Sequence, residues 1–194
     1  MRVFIALDID DTIRERIQQF MDGVRGFAPD VRWVHPESMH VTLKFIGEKS
    51  AEAVKEIGLA LADVQPAAFE ISFRGCGFFP TSKGPRVFWI GITAGPQLAA
   101  LAEAVDGAMA ALGVPKEEHA FSPHLTLARR GGSGAPRWRK NDTPNQSFQR
   151  LQEKLAVMPA LEFGTMTARE FFLYESQLMR GGSHYTKIAR FGFM

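Results

Sequence analysis

Four residues in the first half of the chain, His40-Val41-Thr42-Leu43, recur in the second half as His124-Leu125-Thr126-Leu127. In an extended strand, residues two apart point to the same face of the sheet. Each copy therefore places its histidine and threonine on one face and its two apolar residues on the other. The repeat predicts two half-buried strands, each of which presents an imidazole and a hydroxyl on its open face.

A single His-x-Thr on a strand has an ordinary explanation, because a hydrogen-bonded core histidine beside a threonine favoured by β-propensity would look the same. Core positions have no reason to repeat a titratable group and a hydroxyl together, so the second copy favours a functional pair. The unperturbed histidine pKa of about 6.5 allows one ring to be protonated and the other neutral near pH 7. Such a pair can supply the acid and the base that metal-independent phosphodiester cleavage needs.

Composition narrows the class of protein. The 194 residues are 45% hydrophobic, enough to bury a core in one domain or in two packed lobes. The net charge of +2 argues against a protein that wraps long duplexes and is compatible with a small anionic ligand. Cys76 is the single cysteine, which excludes an internal disulfide and a cysteine-based zinc site and favours a reducing compartment. No segment approaches the roughly 20 apolar residues of a membrane span, and we expect a cytoplasmic protein.

Helical and strand patterns alternate along the chain, which predicts an α+β or α/β two-layer fold. Residues 131–145 are rich in Gly, Ser, Pro and Asn and predict a surface loop. The segments before the two motifs, 35–39 and 119–123, share a leading histidine, a serine and a proline, through duplication or coincidence. The predicted strands are 2–9, 31–34, 39–46, 68–75, 86–93, 121–130, 167–175 and 184–192, and the predicted helices are 11–24, 51–64, 96–112 and 147–156.

Together these features resemble the 2H phosphoesterase superfamily, which is named for two His-x-Thr/Ser-x motifs. Within it the chain resembles the bacterial and archaeal RNA 2′,3′-cyclic phosphodiesterases once called 2′-5′ RNA ligases. The resemblance is carried by residues 2–8, 31–34, 40–47, 121–129, 172–176 and 185–191. It implies an α+β fold of two pseudo-symmetric lobes, each an antiparallel sheet with outer helices, around a central cleft that carries one motif per lobe. We expect residues 1–194 to form a single bilobal domain.

The resemblance implies hydrolysis of a 2′,3′-cyclic phosphate at an RNA end to a 2′-phosphomonoester, without a metal or other cofactor. His40 is then the proton donor and His124 the proton acceptor, although the sequence alone does not distinguish the two roles. Thr42 and Thr126 are expected to donate hydrogen bonds to the non-bridging phosphoryl oxygens. The expected partner is RNA with a cyclic phosphate end, with tRNA fragments as candidates, and the protein is expected to be a monomer.

A cationic clamp on the phosphate is expected from Arg129 or Arg130. Strict alternation from Thr126 selects Arg130, whereas the family's arginine corresponds to Arg129, and a bulge near the strand end would reconcile the two. Alternation also puts Lys44 on the face of His40, either as a phosphate contact or as a solvated lysine.

Contacts with the rest of the RNA have several candidates. Basic residues surround Trp138 at 129–140, a composition that suits a single strand as well as a solvated loop. Trp33, Phe45 and Tyr185 are candidates for base stacking or for core packing. His35, His119 and His184 are candidates for a metal site. His35 and His119 each lie five residues before a motif histidine, and in a continuous strand this odd spacing puts the two rings on opposite faces, which argues against a shared metal. The competing functions are 2′-5′ RNA ligation, hydrolysis of another cyclic nucleotide, and RNA or phosphate binding without turnover.

Overall fold

A computed structural model describes residues 1–131 and 146–194. The helices are α1 Asp11–Val24, α2 Ala51–Ala62, α3 Pro96–Ala111 and α4 Gln149–Ala156. The strands are β1 Arg2–Leu7, β2 Val31–Trp33, β3 Val41–Glu48, β4 Phe69–Phe79, β5 Val87–Ala94, β6 His124–Arg130, β7 Glu162–Ala168, β8 Glu170–Met179 and β9 Gly182–Gly192. Residues 132–145 of the loop predicted at 131–145, with Arg137, Trp138, Arg139 and Lys140, lie outside the described residues.

The strands form two antiparallel sheets, one in each lobe. The first has the order β3-β1-β8-β9 and the second β2-β6-β5-β4-β7. His40 directly precedes β3, which carries the rest of the first motif at the edge of its sheet, and β6 carries the second motif one strand in from an edge. β3 and β6 contact each other, which brings the two motifs together. The predicted α+β fold with one motif per antiparallel sheet is confirmed.

The helices form where the apolar spacing predicts them. α1 buries Ile13, Ile17, Met21 and Val24, which recur at helical spacing, against the core. Ser50 caps the N-terminus of α2, since its hydroxyl accepts a hydrogen bond from the Ala53 N–H at 3.2 Å. Among the described residues, no helix is long and apolar enough to cross a membrane.

Each motif strand has a β-bulge directly after its threonine. In the first sheet Ile5 pairs with Lys44 and Ala6 with Thr42, so Leu43 is the extra residue of β3. In the second sheet Phe88 pairs with Ala128 and Trp89 with Thr126, so Leu127 is the extra residue of β6. A bulge reverses the faces of the residues that follow it. The two lobes thus share the bulge as well as the tetrapeptide.

The bulge in β3 overturns the predicted position of Lys44, which strict alternation put on the face of His40. Lys44 is 2% exposed and lies on the opposite side of the strand. Its ammonium donates to Asp106 of α3 at 2.6 Å, to the Pro115 carbonyl at 3.0 Å and to Glu117 at 3.3 Å. Lys44 therefore joins β3 to the segment that leads into β6 and does not contact the motif face.

Replacing Lys44 with methionine is expected to lower the free energy of unfolding by about 2 kcal/mol at pH 7, because Asp106 and the Pro115 carbonyl lose a charged hydrogen-bond donor. The hydrogen bond from Lys44 holds the pKa of Asp106 below 3.8. A lowered carboxyl pKa stabilises the fold above the unfolded value, and this contribution is lost as the pH falls through the folded pKa.

Urea denaturation at pH 7 and at pH 3 measures both effects. In Lys44→Met the loss of stability on acidification should be smaller than in the natural sequence. Lys55→Met, at an exposed position of α2, is the control and should stay within about 0.5 kcal/mol at both pH values. Equal stability of Lys44→Met and Lys55→Met would contradict the conclusion that buried Lys44 stabilises the contact between β3 and the segment that leads into β6.

Candidate active site

The first motif histidine is fixed by the backbone just before it. His40 Nδ1 lies 2.7 Å from the carbonyl oxygen of Ser38. A carbonyl oxygen only accepts, so Nδ1 donates and carries the proton. His40 Nε2 is left to accept a proton when the ring is neutral and to donate one when it is charged.

The second motif repeats this arrangement. His124 Nδ1 lies 2.8 Å from the carbonyl oxygen of Ser122, again two residues earlier in the chain. The same reasoning places the proton on Nδ1 and leaves Nε2 for chemistry. The two rings are therefore held in the same tautomer by equivalent backbone groups, and either of them can act as acid or base through Nε2.

Aromatic rings surround both histidines. In the first lobe, the His40 ring lies edge-on to Tyr185 at a centroid distance of 5.2 Å and 4.8 Å from the Phe4 ring, with Tyr174 at 6.1 Å. In the second lobe, the His124 ring lies edge-on to Phe79 at 4.9 Å. These contacts orient each ring and remove water from its sides.

The second lobe also places Trp89 at 6.4 Å from the His124 ring. A side chain at Gly77 would overlap the indole, since a Cβ there would lie 2.3 Å from it. Gly77 therefore makes the room that lets Trp89 lie beside His124. The partners of both histidines come from distant strands, and sequence reasoning did not find Phe79, Trp89 or Tyr174.

Burial sets the protonation state of the pair. The pKa of His40 is lowered to about 4, chiefly by loss of solvent. The charges of Arg129 and His124 act in the same direction, while the hydrogen bond to Ser38 and the charge of Asp8 oppose the change. Loss of solvent likewise lowers the pKa of His124. Both rings are therefore neutral at pH 7 in the absence of a ligand.

Arg129 lies near both histidines. Its charge lowers the pKa of His40 and of His124, and its side chain lines a small cavity together with Tyr185. The bulge at Leu127 accounts for this, because it returns Arg129 to the face of Thr126 and turns Arg130 to the other face. Both arginine side chains are exposed.

The two threonines occupy equivalent places. Thr42 and Thr126 are half-buried, each two residues after its histidine and just before the bulge. Thr42 pairs with Ala6, and Thr126 with Trp89. The hydroxyl of each lies on the same strand face as the adjacent imidazole.

An acidic residue at the end of β1 completes the surroundings of His40. Burial alone would raise the pKa of Asp8, but hydrogen bonds from Lys187, the Ile9 N–H and Arg14 outweigh it and keep the pKa below 3.8. The Asp8 carboxylate is therefore charged at neutral pH, and its charge favours the protonated form of His40.

The three candidates for stacking have different environments. Trp33 is half-buried, lies edge-on to Phe88 and donates its indole N–H to the Ala28 carbonyl at 3.1 Å, so it serves the core. Tyr185 contacts His40. Phe45 is 59% exposed and lies beside Phe4. The bulge in β3 puts Phe45 on the face of Thr42, three residues after it, as Arg129 lies three residues after Thr126 in the other motif.

Within residues 1–131 and 146–194, no three His, Cys, Asp or Glu side chains form a metal-binding group.

Comparison with known proteins identifies the family. A profile described as LigT-like phosphoesterase matches residues 7–89 and 90–185, so that one match falls on each motif. The chain belongs to the LigT-like phosphoesterase family. These phosphoesterases are part of the 2H superfamily, which confirms the resemblance inferred from the two motifs.

Two archaeal relatives of this LigT-like chain are named RNA 2′,3′-cyclic phosphodiesterase. The protein from Archaeoglobus fulgidus is 34% identical over 191 residues, which cover 98% of this chain and 99% of the relative. The protein from Methanothermobacter thermautotrophicus is 30% identical over 193 residues, which cover 98% of each. A crystal structure of Escherichia coli LigT complexed with 3′-AMP is 27% identical, covers 99% of this chain and 97% of that one, and has a TM-score of 0.77.

Proposed function

We propose that this chain hydrolyses the 2′,3′-cyclic phosphate at an RNA 3′ end and leaves a 2′-phosphomonoester. The observation that carries the proposal is the pair of histidines with matched tautomers. Each donates Nδ1–H to a carbonyl and has no hydrogen bond at Nε2 within residues 1–131 and 146–194, and the charge of Arg129 acts on both rings. The names of the full-length relatives agree with this activity.

In the proposed reaction, a water molecule attacks phosphorus in line with the bond to the 3′-oxygen. His124 Nε2 takes a proton from the water as the new P–O bond forms, and His40 Nε2 gives a proton to the 3′-oxygen as its bond to phosphorus breaks. Positioned acid and base groups each contribute about 10²–10⁴-fold to such a reaction. Afterwards His124 is charged and His40 neutral, and exchange with solvent restores the starting state.

Negative charge builds on the non-bridging oxygens during the attack. The Thr42 and Thr126 hydroxyls lie on the strand faces of their histidines and would donate hydrogen bonds to these oxygens, while the Arg129 guanidinium would neutralise their charge. The exposed ring of Phe45 on the same face offers a base a stacking surface. We further propose that residues 1–194 act as a single unit, because one buried cluster includes side chains of both sheets, among them Ile5 and Leu125.

Product analysis tests the proposed function. The protein is incubated with EDTA and an oligoribonucleotide that ends in a 2′,3′-cyclic phosphate, and the end group is identified by phosphorus NMR. A 2′-phosphate is the expected product. Joined RNA ends would favour the ligase alternative, tight binding without turnover would favour a binding module, and activity that EDTA abolishes would contradict the two-histidine mechanism.

The kcat/KM of the reaction is expected to follow a bell-shaped pH profile whose alkaline limb begins below pH 6.5. Turnover needs one charged and one neutral ring, and kcat/KM reports the free protein, in which burial lowers the pKa of both histidines. A lowered pKa means that the proton is lost at a lower pH, so activity falls as the pH rises past it. The bound phosphate is negative and raises both pKa values, so the limb of kcat lies at higher pH.

Initial rates between about pH 4 and pH 9 give both profiles. A flat kcat/KM over roughly pH 5–9, or a kcat limb at lower pH than the kcat/KM limb, would contradict this assignment. The histidine pKa values can also be followed directly by NMR with and without inorganic phosphate, which is expected to raise them.

A further inference from the structure

A groove beside His40 is lined by Ser38 and Tyr185, and Asp8 is not among its lining residues. It consists of two adjoining cavities of about 280 Å³ and 90 Å³, lined by residues from the segment 32–38 and from the end of the β8–β9 hairpin, residues 179–185. Ser38 and the turn residues 181–183 line both cavities. We call this space the hairpin groove.

The hairpin groove is continuous with the site of the two histidines. Ser38, whose carbonyl holds His40 Nδ1, lines both of its cavities. Arg129 and Tyr185, which act on His40 through charge and ring contact, line the smaller one. A ligand that fills the groove would therefore reach the reacting phosphate.

The charge of the groove favours an anion. Of the residues that the structure describes, Arg32, Arg129 and Arg180 line it against a single carboxylate, that of Glu37. His35 and His184 add two exposed imidazoles that can donate hydrogen bonds. The arginines come from β2, β6 and the hairpin turn, so three separate parts of the chain bring positive charge to one channel.

A second cavity differs from the hairpin groove in its charged lining. This larger cavity, of about 560 Å³, is lined by Asp8, Asp10 and Glu170, with Arg169 and Arg190 as the cations. Arg190 is already hydrogen-bonded to Glu170. Asp8 is likewise paired with Lys187 and Arg14, so most of the cations around this cavity are engaged by its own carboxylates. An RNA backbone therefore finds less free positive charge there than in the hairpin groove.

The hairpin itself has the chemistry of a nucleic-acid contact. Leu178 and Met179 near its tip are 71% and 61% exposed, and Met179 lines the groove. Gly181 and Gly182 have φ values of +97° and +143°, which other residues rarely adopt, and they close the tight turn that presents Arg180. Apolar surface for a base next to cations for a phosphate is the combination that single-stranded nucleic acid needs.

We propose that the hairpin groove binds the nucleotides upstream of the cyclic end, with Arg32 and Arg180 on the phosphate that joins the terminal nucleotide to the preceding one. The proposal rests on the proposed function and adds to it that the substrate is an RNA strand in preference to a free cyclic mononucleotide. The strand leaves the site through the hairpin groove and not past Asp8.

Two substrates separate this role from catalysis. A nucleoside 2′,3′-cyclic monophosphate has no upstream phosphate, whereas a trinucleotide with the same cyclic end has two. In Arg180→Gln and in Arg32→Gln, kcat/KM for the trinucleotide is expected to fall about tenfold while that for the mononucleotide stays within about twofold. Each lost phosphate contact should also reduce the slope of log kcat/KM against log salt by about 0.7 for the trinucleotide.

Arg169→Gln, in the cavity that includes Asp8, and Lys55→Gln on α2 are matched charge controls, and both should leave the preference for the trinucleotide intact. Equal losses on the two substrates, or a loss confined to the trinucleotide in Arg169→Gln, would overturn the inference. Anisotropy with a labelled trinucleotide that ends in a 2′-phosphate measures binding without turnover. If the unsubstituted protein hydrolyses neither substrate, the proposed function is wrong. The proposed RNA binding in the hairpin groove is then tested by anisotropy alone: weaker binding in Arg180→Gln supports it, and unchanged binding contradicts it.

Discussion

His40→Ala and His124→Ala are each expected to lower kcat for an RNA 2′,3′-cyclic phosphate by about 10²–10⁴-fold. Each variant removes one Nε2, and the remaining histidine cannot act as acid and base in the same step. The double variant should lose little more than either single variant, because groups that act as a unit are far from additive. Single-turnover rates with saturating protein report this loss without a contribution from weaker binding.

His119→Ala is the matched control for these two variants. His119 lies in the same segment as His124 but is exposed, and its replacement removes an imidazole without touching either motif. It should keep full activity. Circular dichroism of all variants checks the fold, and a motif variant that is folded and fully active would refute the two-histidine mechanism.

The sequence predicted the two motif strands because strand alternation is a local property. Thr42 lies two residues after His40 and Thr126 two residues after His124, and this spacing alone puts each pair on one face. The serines before the histidines were also visible, as part of the similar segments 35–39 and 119–123. Their role was not, since it is a backbone carbonyl that holds each ring, and a carbonyl is present at every residue.

Strict alternation of side chains predicted the wrong strand face for residues that follow a bulge. No residue type marks Leu43 or Leu127 as the extra residue, because a bulge is decided by pairing with the neighbouring strand. One reversal turned Lys44 into the core and the other brought Arg129 beside the histidines. A bulge also explains why β7 was not predicted. Phe163 is the extra residue of β7 opposite β4, so the buried residues Phe163, Met166 and Ala168 do not alternate regularly along the strand. The sequence predicted only one strand across the region that contains β7 and β8.

The bulge in β6, which places Arg129 on the face of Thr126, predicts a second large effect on activity. Arg129→Gln is expected to lower kcat/KM by about 10²–10³-fold, the loss typical of removing one group that stabilises charge in a transition state. Arg130→Gln changes the same charge at the next residue, on the opposite face of the strand, and should cost less than about threefold. The comparison decides between the two arginines that the sequence left open.

The pH profile shows whether Arg129 acts at the histidines or only supports the strand. The Arg129 charge lowers the pKa of both rings, so glutamine at this position raises both values. The alkaline limb of kcat/KM should then move to higher pH in Arg129→Gln and stay in place in Arg130→Gln. A loss of rate with an unmoved limb would point to a defect in folding or packing, because removal of a charge close to His40 and His124 must shift their titration. Circular dichroism of Arg129→Gln excludes looser packing around the rings as the cause of a shift.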